Sequence, residues 1–213
     1  MSLFESRKRS LPPPVVFDGN ELTVSDEYLA EIKSHCNIDA DDDDSILRLY
    51  ARAALQGLNG YTGELSAYLV KTGIRQDFPF PKLNFPLTGP YIETENFPVV
   101  DYRDRNGNRI VIGVEDRFVV RKSDGFQIAI TDKIYSVLCS LNSDGRRDDF
   151  VSIKYNAGIA ETVAVLPDDL RYAIALIVRR MYDYRDDTIR LDRTDIKGGV
   201  ASILNRYRSK WLG

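Results

Sequence analysis

Apolar positions along the chain follow a helical period at both ends and a strand period in the middle. Leu170, Ala173, Ile174, Ile177, Val178 and Met181 recur every three or four residues, which puts them in one stripe of a helix over Asp168–Arg185. Pro167 suits the first helical position, where its missing N–H would have no intrahelical partner. Asp168 and Asp169 lie at the end where the helix dipole favours negative charge, and Arg179, Arg180 and Arg185 lie toward the other. A second stripe, Ile46, Leu49, Tyr50, Ala53, Ala54, Leu58 and Tyr61, predicts a helix over Ser45–Tyr61 that ends near Thr62-Gly63. Gly57 and Gly60 inside it suggest close approach by another backbone. Tyr28, Leu29 and Ile32 predict a short helix over Asp26–His35, capped by Thr23 or Ser25. Ile203, Leu204 and Tyr207 share one side of a last helix, Val200–Tyr207.

Between these helices the pattern shortens. Pro79, Pro81, Pro86, Pro90 and Pro98 break Phe78–Val99 into pieces suited to sheet edges and loops. Val99–Arg103 and Arg109–Val114 flank Asn106-Gly107, a strong hairpin signal, and Phe118–Arg121 and Phe126–Ile130 repeat the arrangement around Ser123-Asp124-Gly125. Further strands are expected over Ile134–Leu141 and Phe150–Tyr155, separated by a polar turn at Asn142–Asp149. The fold class expected is α+β: a small helical bundle with an inserted antiparallel β region at about 66–155. The bundle domain spans 23–195. A flexible, extended N-terminal arm (1–22), bearing Arg7-Lys8-Arg9 and Pro12-Pro13-Pro14, precedes it, and a basic C-terminal docking helix and tail (196–213) follows.

A chain of 213 residues can bury one substantial core, and with 43% hydrophobic residues, 29% charged residues and a net charge of −3 it has no basic excess with which to grip nucleic acid over its whole surface. Cys36 and Cys139, far apart and without neighbouring ligands, read as reduced, partly buried thiols in a reducing compartment. No apolar run reaches membrane-spanning length, which predicts a protein that works in solution with no membrane partner.

Candidate chemistry is sparse. The acidic run Asp39–Asp44 lacks the alternating ligands, turn glycine and distal Glu of a calcium loop, and reads instead as a helix cap at Asp43 or Asp44 with acids at the positive helix end. His35 is the only histidine and reads as a residue near a helix end. Phosphate loops, dinucleotide fingerprints and paired-Cys spacings do not occur, and Gly198-Gly199 reads as a hinge. No catalytic residue, cofactor or metal ligand is assigned.

The order of segments carries more information. An acidic turn, Asn37–Asp44, leads into a helix ending Tyr61-Thr62-Gly63. After the β insertion come Tyr155-Asn156-Ala157-Gly158, then Leu166-Pro167-Asp168-Asp169-Leu170 opening a long helix that finishes Tyr182-Asp183-Tyr184-Arg185, then the Val200–Arg208 tail. Over roughly Thr23 to Arg208 this resembles the head–tail connector, or adaptor, family of tailed bacteriophages. The resemblance implies a non-enzymatic virion protein of the neck, assembled in the host cytoplasm as a homo-oligomeric ring of about twelve copies beneath the portal protein. Such a ring extends the DNA channel without sequence-specific binding and carries the stopper or tail-completion protein. The resemblance implies portal contact through the C-terminal segment, where Arg206, Tyr207, Arg208, Lys210 and Trp211 are residue types enriched at interface hot spots. Tyr207 and Trp211 covering the protein's own core is the alternative. Asn106, Gly107, Arg146 and Arg147 are candidates for ring, channel or tail contact. Rival readings are a tail-completion or stopper protein and, more distantly, a metal-dependent nuclease or hydrolase using Asp39–Asp44.

Overall fold

The computed structural model describes residues 13–19, 21–39, 41–90, 98–122, 125–141, 148–184 and 199–208. Five helices are present among them: α1 (Asp26–Cys36), α2 (Asp44–Leu58), α3 (Asp132–Leu141), α4 (Asp168–Asp183) and α5 (Gly199–Tyr207). Eight strands accompany them: β1 (Val15–Gly19), β2 (Thr72–Phe78), β3 (Asn84–Pro86), β4 (Val99–Arg103), β5 (Arg109–Val111), β6 (Arg117–Lys122), β7 (Gly125–Ile130) and β8 (Val151–Ala157). The strands form a five-stranded sheet ordered β1-β2-β8-β4-β5 and a three-stranded sheet ordered β3-β7-β6, with antiparallel pairing throughout. The chain is α+β, as expected.

Helix α4 is the axis of the first core. Leu170, Ala173, Ile174, Ile177 and Val178 are buried as its periodicity requires, with Met181 half-buried at the end of the stripe. They pack against Tyr28, Leu29 and Ile32 of α1, Leu47, Ala51 and Leu55 of α2 and Leu204 of α5. Each large aliphatic side chain so buried contributes about 1.5–3 kcal/mol. Pro167 lies one position outside the helix, where its carbonyl accepts hydrogen bonds from the N–H groups of Leu170 and Arg171. Helix α1 starts at a true cap, with the Ser25 hydroxyl accepting from the Tyr28 N–H at 3.2 Å.

The second core lies on one face of the five-stranded sheet. Ile74 and Phe78 of β2, Val151, Ile153 and Tyr155 of β8 and Val100 of β4 meet Phe85, Ile128 and Ile130 from the other sheet and Leu138 of α3. The buried Tyr155 hydroxyl accepts from the Thr88 N–H at 2.7 Å and lies 3.1 Å from both Gln76 Oε1 and the Thr88 carbonyl, one of which takes its proton, while the Thr88 N–H also reaches Gln76 Oε1 at 3.3 Å. Two backbone segments join the cores. Leu69 and Val70 face the helices while Tyr68 between Ala67 and Leu69 faces the sheets, and Ile159 and Ala160 hydrogen-bond beside them. A Cβ on Gly158 would fall 2.6 Å from the Val70 carbonyl carbon, so only glycine lets the two segments approach this closely.

Several expectations need correction. Ile134–Leu141 is helical, not a strand: Ile134, Leu138 and Leu141 recur at helical spacing, and the Thr131 hydroxyl accepts from the Ile134 N–H at the helix start. In α2 the buried stripe is Leu47, Ala51, Ala54, Leu55 and Leu58, and Leu49 is 61% exposed. The helix ends at Leu58 and the left-handed glycine is Gly60 (φ 90°); nothing lies within 4 Å of a Cβ built on Gly57, so its missing side chain is not what admits the neighbouring backbone, whose Glu64 N–H bonds to the Gly57 carbonyl at 3.0 Å. Of the arm expected over 1–22, residues 1–12 lie outside the described residues and Val15–Gly19 forms the edge strand β1. Both hairpins occur where Asn106-Gly107 and Ser123-Asp124-Gly125 indicated. The first has a five-residue connection, 104–108, in which Gly107 adopts φ 87°.

Candidate interaction surfaces

Helix α5 turns its C-terminal residues onto the body of the protein. The Tyr207 hydroxyl donates to Asp169 Oδ1 at 2.6 Å, Arg206 Nη2 lies 2.8 Å from Asp169 Oδ2, and Arg208 bonds to both the carbonyl and the carboxylate of Glu64. Burial first, and then the hydrogen bond to Asp169, push the Tyr207 phenol up to about 12. Tyr207 thus serves the protein's own packing, whereas the Arg206 side chain stays 62% exposed beside its acid. Lys210 and Trp211 lie outside the described residues, as do Arg146 and Arg147.

The β4–β5 hairpin brings Asn106 and Gly107 to a tip built from within. Arg103 Nη1 donates to the Gly107 carbonyl at 2.8 Å, and Asp104 accepts from the Asn108 N–H at 2.8 Å. Burial alone would raise the Asp104 carboxyl, but the amides of Asn108, with the N–H groups of Asn106 and Gly107, outweigh it and hold it below the usual range.

The outward face of the five-stranded sheet carries a charged lattice. Arg109 bridges Asp101 and Asp149, Arg103 meets the same Asp149 at 2.6 Å, and Asp77 takes both Arg75 and the Ser152 hydroxyl. The hydrogen bond from Arg103 is the largest influence on Asp149 and, despite partial burial, leaves its carboxyl lowered. Exposed Val99 and Val111 border this lattice. At the other end of the sheet β1 exposes Val15, Val16 and Phe17. Sequence reasoning missed this edge, although three consecutive β-prone apolar residues after the prolines were its signal.

Three acids of the run, Asp41, Asp43 and Asp44, pair within the protein. Lys33 reaches Asp41 at 2.6 Å and Asp44 at 2.7 Å across a cleft of about 460 Å³ between α1 and α2, and Asp43 accepts from the Tyr182 hydroxyl. Asp43 occupies the cap position of α2 but its side chain caps nothing, which corrects the sequence expectation. Among the described residues no group of three or more His, Cys, Asp or Glu side chains is arranged to hold a metal ion. His35 packs edge-on against Tyr172 at 4.7 Å. Cys36 is buried and Cys139, expected to be partly buried, is exposed on α3; both thiols are free. No described helix is long and apolar enough to cross a membrane.

Residues 26–83 match the profile of the phage gp6-like head-tail connector protein family, which bears out the resemblance read from the order of segments. The matched stretch runs from α1 through α2 to the start of the β region. No curated protein matches the chain. Among solved structures, a chain in the neck of an empty gene transfer agent particle, computed with C6 symmetry, superposes with a TM-score of 0.60 at 19% identity, over 92% of this chain and 95% of that one. A chain of the virion of the native gene transfer agent particle gives 0.60 at 18% identity, and one from the native neck computed with C12 symmetry gives 0.59 at 18%, both with the same coverage. The fold is therefore that of these neck chains along nearly its whole length.

Proposed function

We propose that this chain is the head–tail adaptor of a tailed phage or phage-like particle, a structural protein of the virion neck. Copies of it assemble as a ring under the portal protein, extend the DNA channel, and carry the stopper or tail-completion protein. The observation that carries this reading is the shared fold over 92% of the chain with subunits of a particle neck; the connector-family match over residues 26–83 agrees with it. The surfaces suit the role. The net charge of −3 limits phosphate binding in a conduit through which DNA must slide, because each neutralised phosphate adds salt-sensitive affinity. The described acids and bases pair mainly with one another, as a scaffold requires, and the role calls for no reaction.

In this reading Arg206, Lys210 and Trp211 touch the portal, while Tyr207 and Arg208 hold α5 in the position that presents them. Asn106, Gly107, Arg146 and Arg147 contact the neighbouring subunit, the channel or the tail. The test is light scattering during size-exclusion chromatography of the protein mixed with its cognate portal, beside a variant that ends at Arg208. That variant keeps Leu204 and Tyr207, so it folds. Stoichiometric co-elution lost in the shortened variant is expected. Co-elution retained moves the interface off the tail, and no binding to the portal by the full chain, with binding only to heads that already carry an adaptor, favours the stopper.

A further inference from the structure

Among the described residues the five-stranded sheet has two open edges: β1 pairs only with β2, and β5 only with β4. Protected edges carry charges, prolines or a covering element. These expose apolar side chains: Val15 (51%), Val16 (51%) and Phe17 (57%) at one end, Ile110 (40%) and Val111 (62%) at the other.

Strand direction limits what can fit. All four pairings in the sheet are antiparallel and the strand count is odd, so β1 and β5 run the same way. A copy related by rotation about a ring axis brings its β1 beside β5 of its neighbour in parallel, whereas a two-fold partner would set β1 against β1 in antiparallel pairing. The side-chain faces agree with the first arrangement. Val16 is opposite Ile74, which shares the inner face with Val151 and hence with Tyr102 and its partner Ile110. Phe17, the extra residue in an irregularity between Val16 and Asp18, lies over Gly73, on the face that carries Asp77, Ser152, Asp101 and Val111. One parallel register therefore sets Val16 beside Ile110 on one face and Phe17 beside Val111 on the other, apolar against apolar on both.

We propose that copies of this chain join by continuing the sheet, with β5 of one subunit pairing in parallel with β1 of the next. The inference rests on the ring reading above and adds to it the surface through which the ring closes. Backbone hydrogen bonds between edges supply the affinity, and the two apolar pairs fix the register.

Single and double cysteine variants test it in a Cys139→Ser background, assembled on the cognate portal and oxidised. Within one subunit, positions 16 and 110 are separated by four strand spacings, roughly 19 Å, too far for a disulfide. The double variant Val16→Cys/Ile110→Cys is expected to give a ladder of covalent multimers, and each single variant none. Assembly verified by mass with no ladder overturns the sheet continuation and leaves the adaptor standing. A dimer from Val16→Cys alone overturns it in favour of two-fold pairing. Failure of the Cys139→Ser parent to assemble on the portal, with unmodified protein failing alike, overturns the adaptor reading together with this one. Independently, Val16→Lys/Val111→Lys, exposed at both sites, keeps the native circular dichroism and lowers ring assembly by at least tenfold; unimpaired assembly counts against the proposal.

Discussion

The Tyr207 hydroxyl donates to Asp169 across 2.6 Å, tying the last described helix to the first turn of α4. Together with the Arg206 ion pair to the same carboxylate, this hydrogen bond couples the C-terminal helix to the helix on which the first core is built. Tyr207→Phe removes it without opening a cavity, and the expected loss is about 1–2 kcal/mol, read as a lowered midpoint in urea. The folded phenol titrates near 12, above its unfolded value near 10. Its contribution is therefore complete below pH 10 and lost as the pH rises toward 12. The Phe variant should lose that alkaline slope, and an unchanged slope would show that another group causes it.

Arg109→Ala should cost more than Arg103→Ala. The Asp101 side chain is only 5% exposed and Arg109 is the cation beside it, so truncation strands a nearly buried carboxylate, at a cost of roughly 2–3 kcal/mol. Arg103 shares Asp149 with Arg109, which covers part of its loss. Because Asp149 is lowered, its share of stability is present at neutral pH and disappears as acid carries the solution below the usual carboxylate range and through its lowered pKa. Chemical denaturation from pH 7 to pH 2 checks both the order and the window.

The register of α2 is settled by two leucines. Leu47 is fully buried and Leu49 is 61% exposed. Leu47→Ala should lower stability by about 2–5 kcal/mol and Leu49→Ala by no more than about 0.5 kcal/mol. Equal effects in thermal unfolding would contradict this helix face.

Two nearby glycines should respond with opposite signs. Gly57 sits within α2 with open space around its missing Cβ, so Gly57→Ala should stabilise by up to about 1 kcal/mol. Gly60 holds φ 90°, so Gly60→Ala should destabilise by about 1 kcal/mol despite equally open space. Urea midpoints distinguish them.

What the sequence made legible followed from how far each signal outran its competitors. The α4 stripe alternates with charge cleanly enough to name five of its buried residues. In α2, Ile46, Leu47, Leu49, Tyr50 and Ala51 are apolar on several sides, and the period alone does not choose between faces. Ile134–Leu141 mixes β-branched and aromatic residues with a helical spacing, and only the packing of Leu138 decides for the helix. Strand β2 hides because its buried face includes Gln76, whose polarity is cancelled by Tyr155, seventy-nine residues away. Of the candidate site, the sequence supplied residue types but not their employment. Tyr207 and Arg208 look identical in sequence whether they dock a partner or hold their own helix. The open edges of a sheet carry no signal until the strand order is known.

That order, β1-β2-β8-β4-β5, puts the latest strand to be synthesised in the centre. Neither half of the sheet meets the other before Val151–Ala157 emerges, and the helical core waits still longer for Asp168–Asp183. During translation the two halves of this sheet wait for that strand, so in a chain stopped at Phe150 protease should cut β1, β2, β4 and β5 sooner than the separate β3-β7-β6 sheet, whose strands are complete by Ile130. A broken-off product therefore never carries the five-stranded sheet of the finished chain, and the order of its own strands marks it as incomplete.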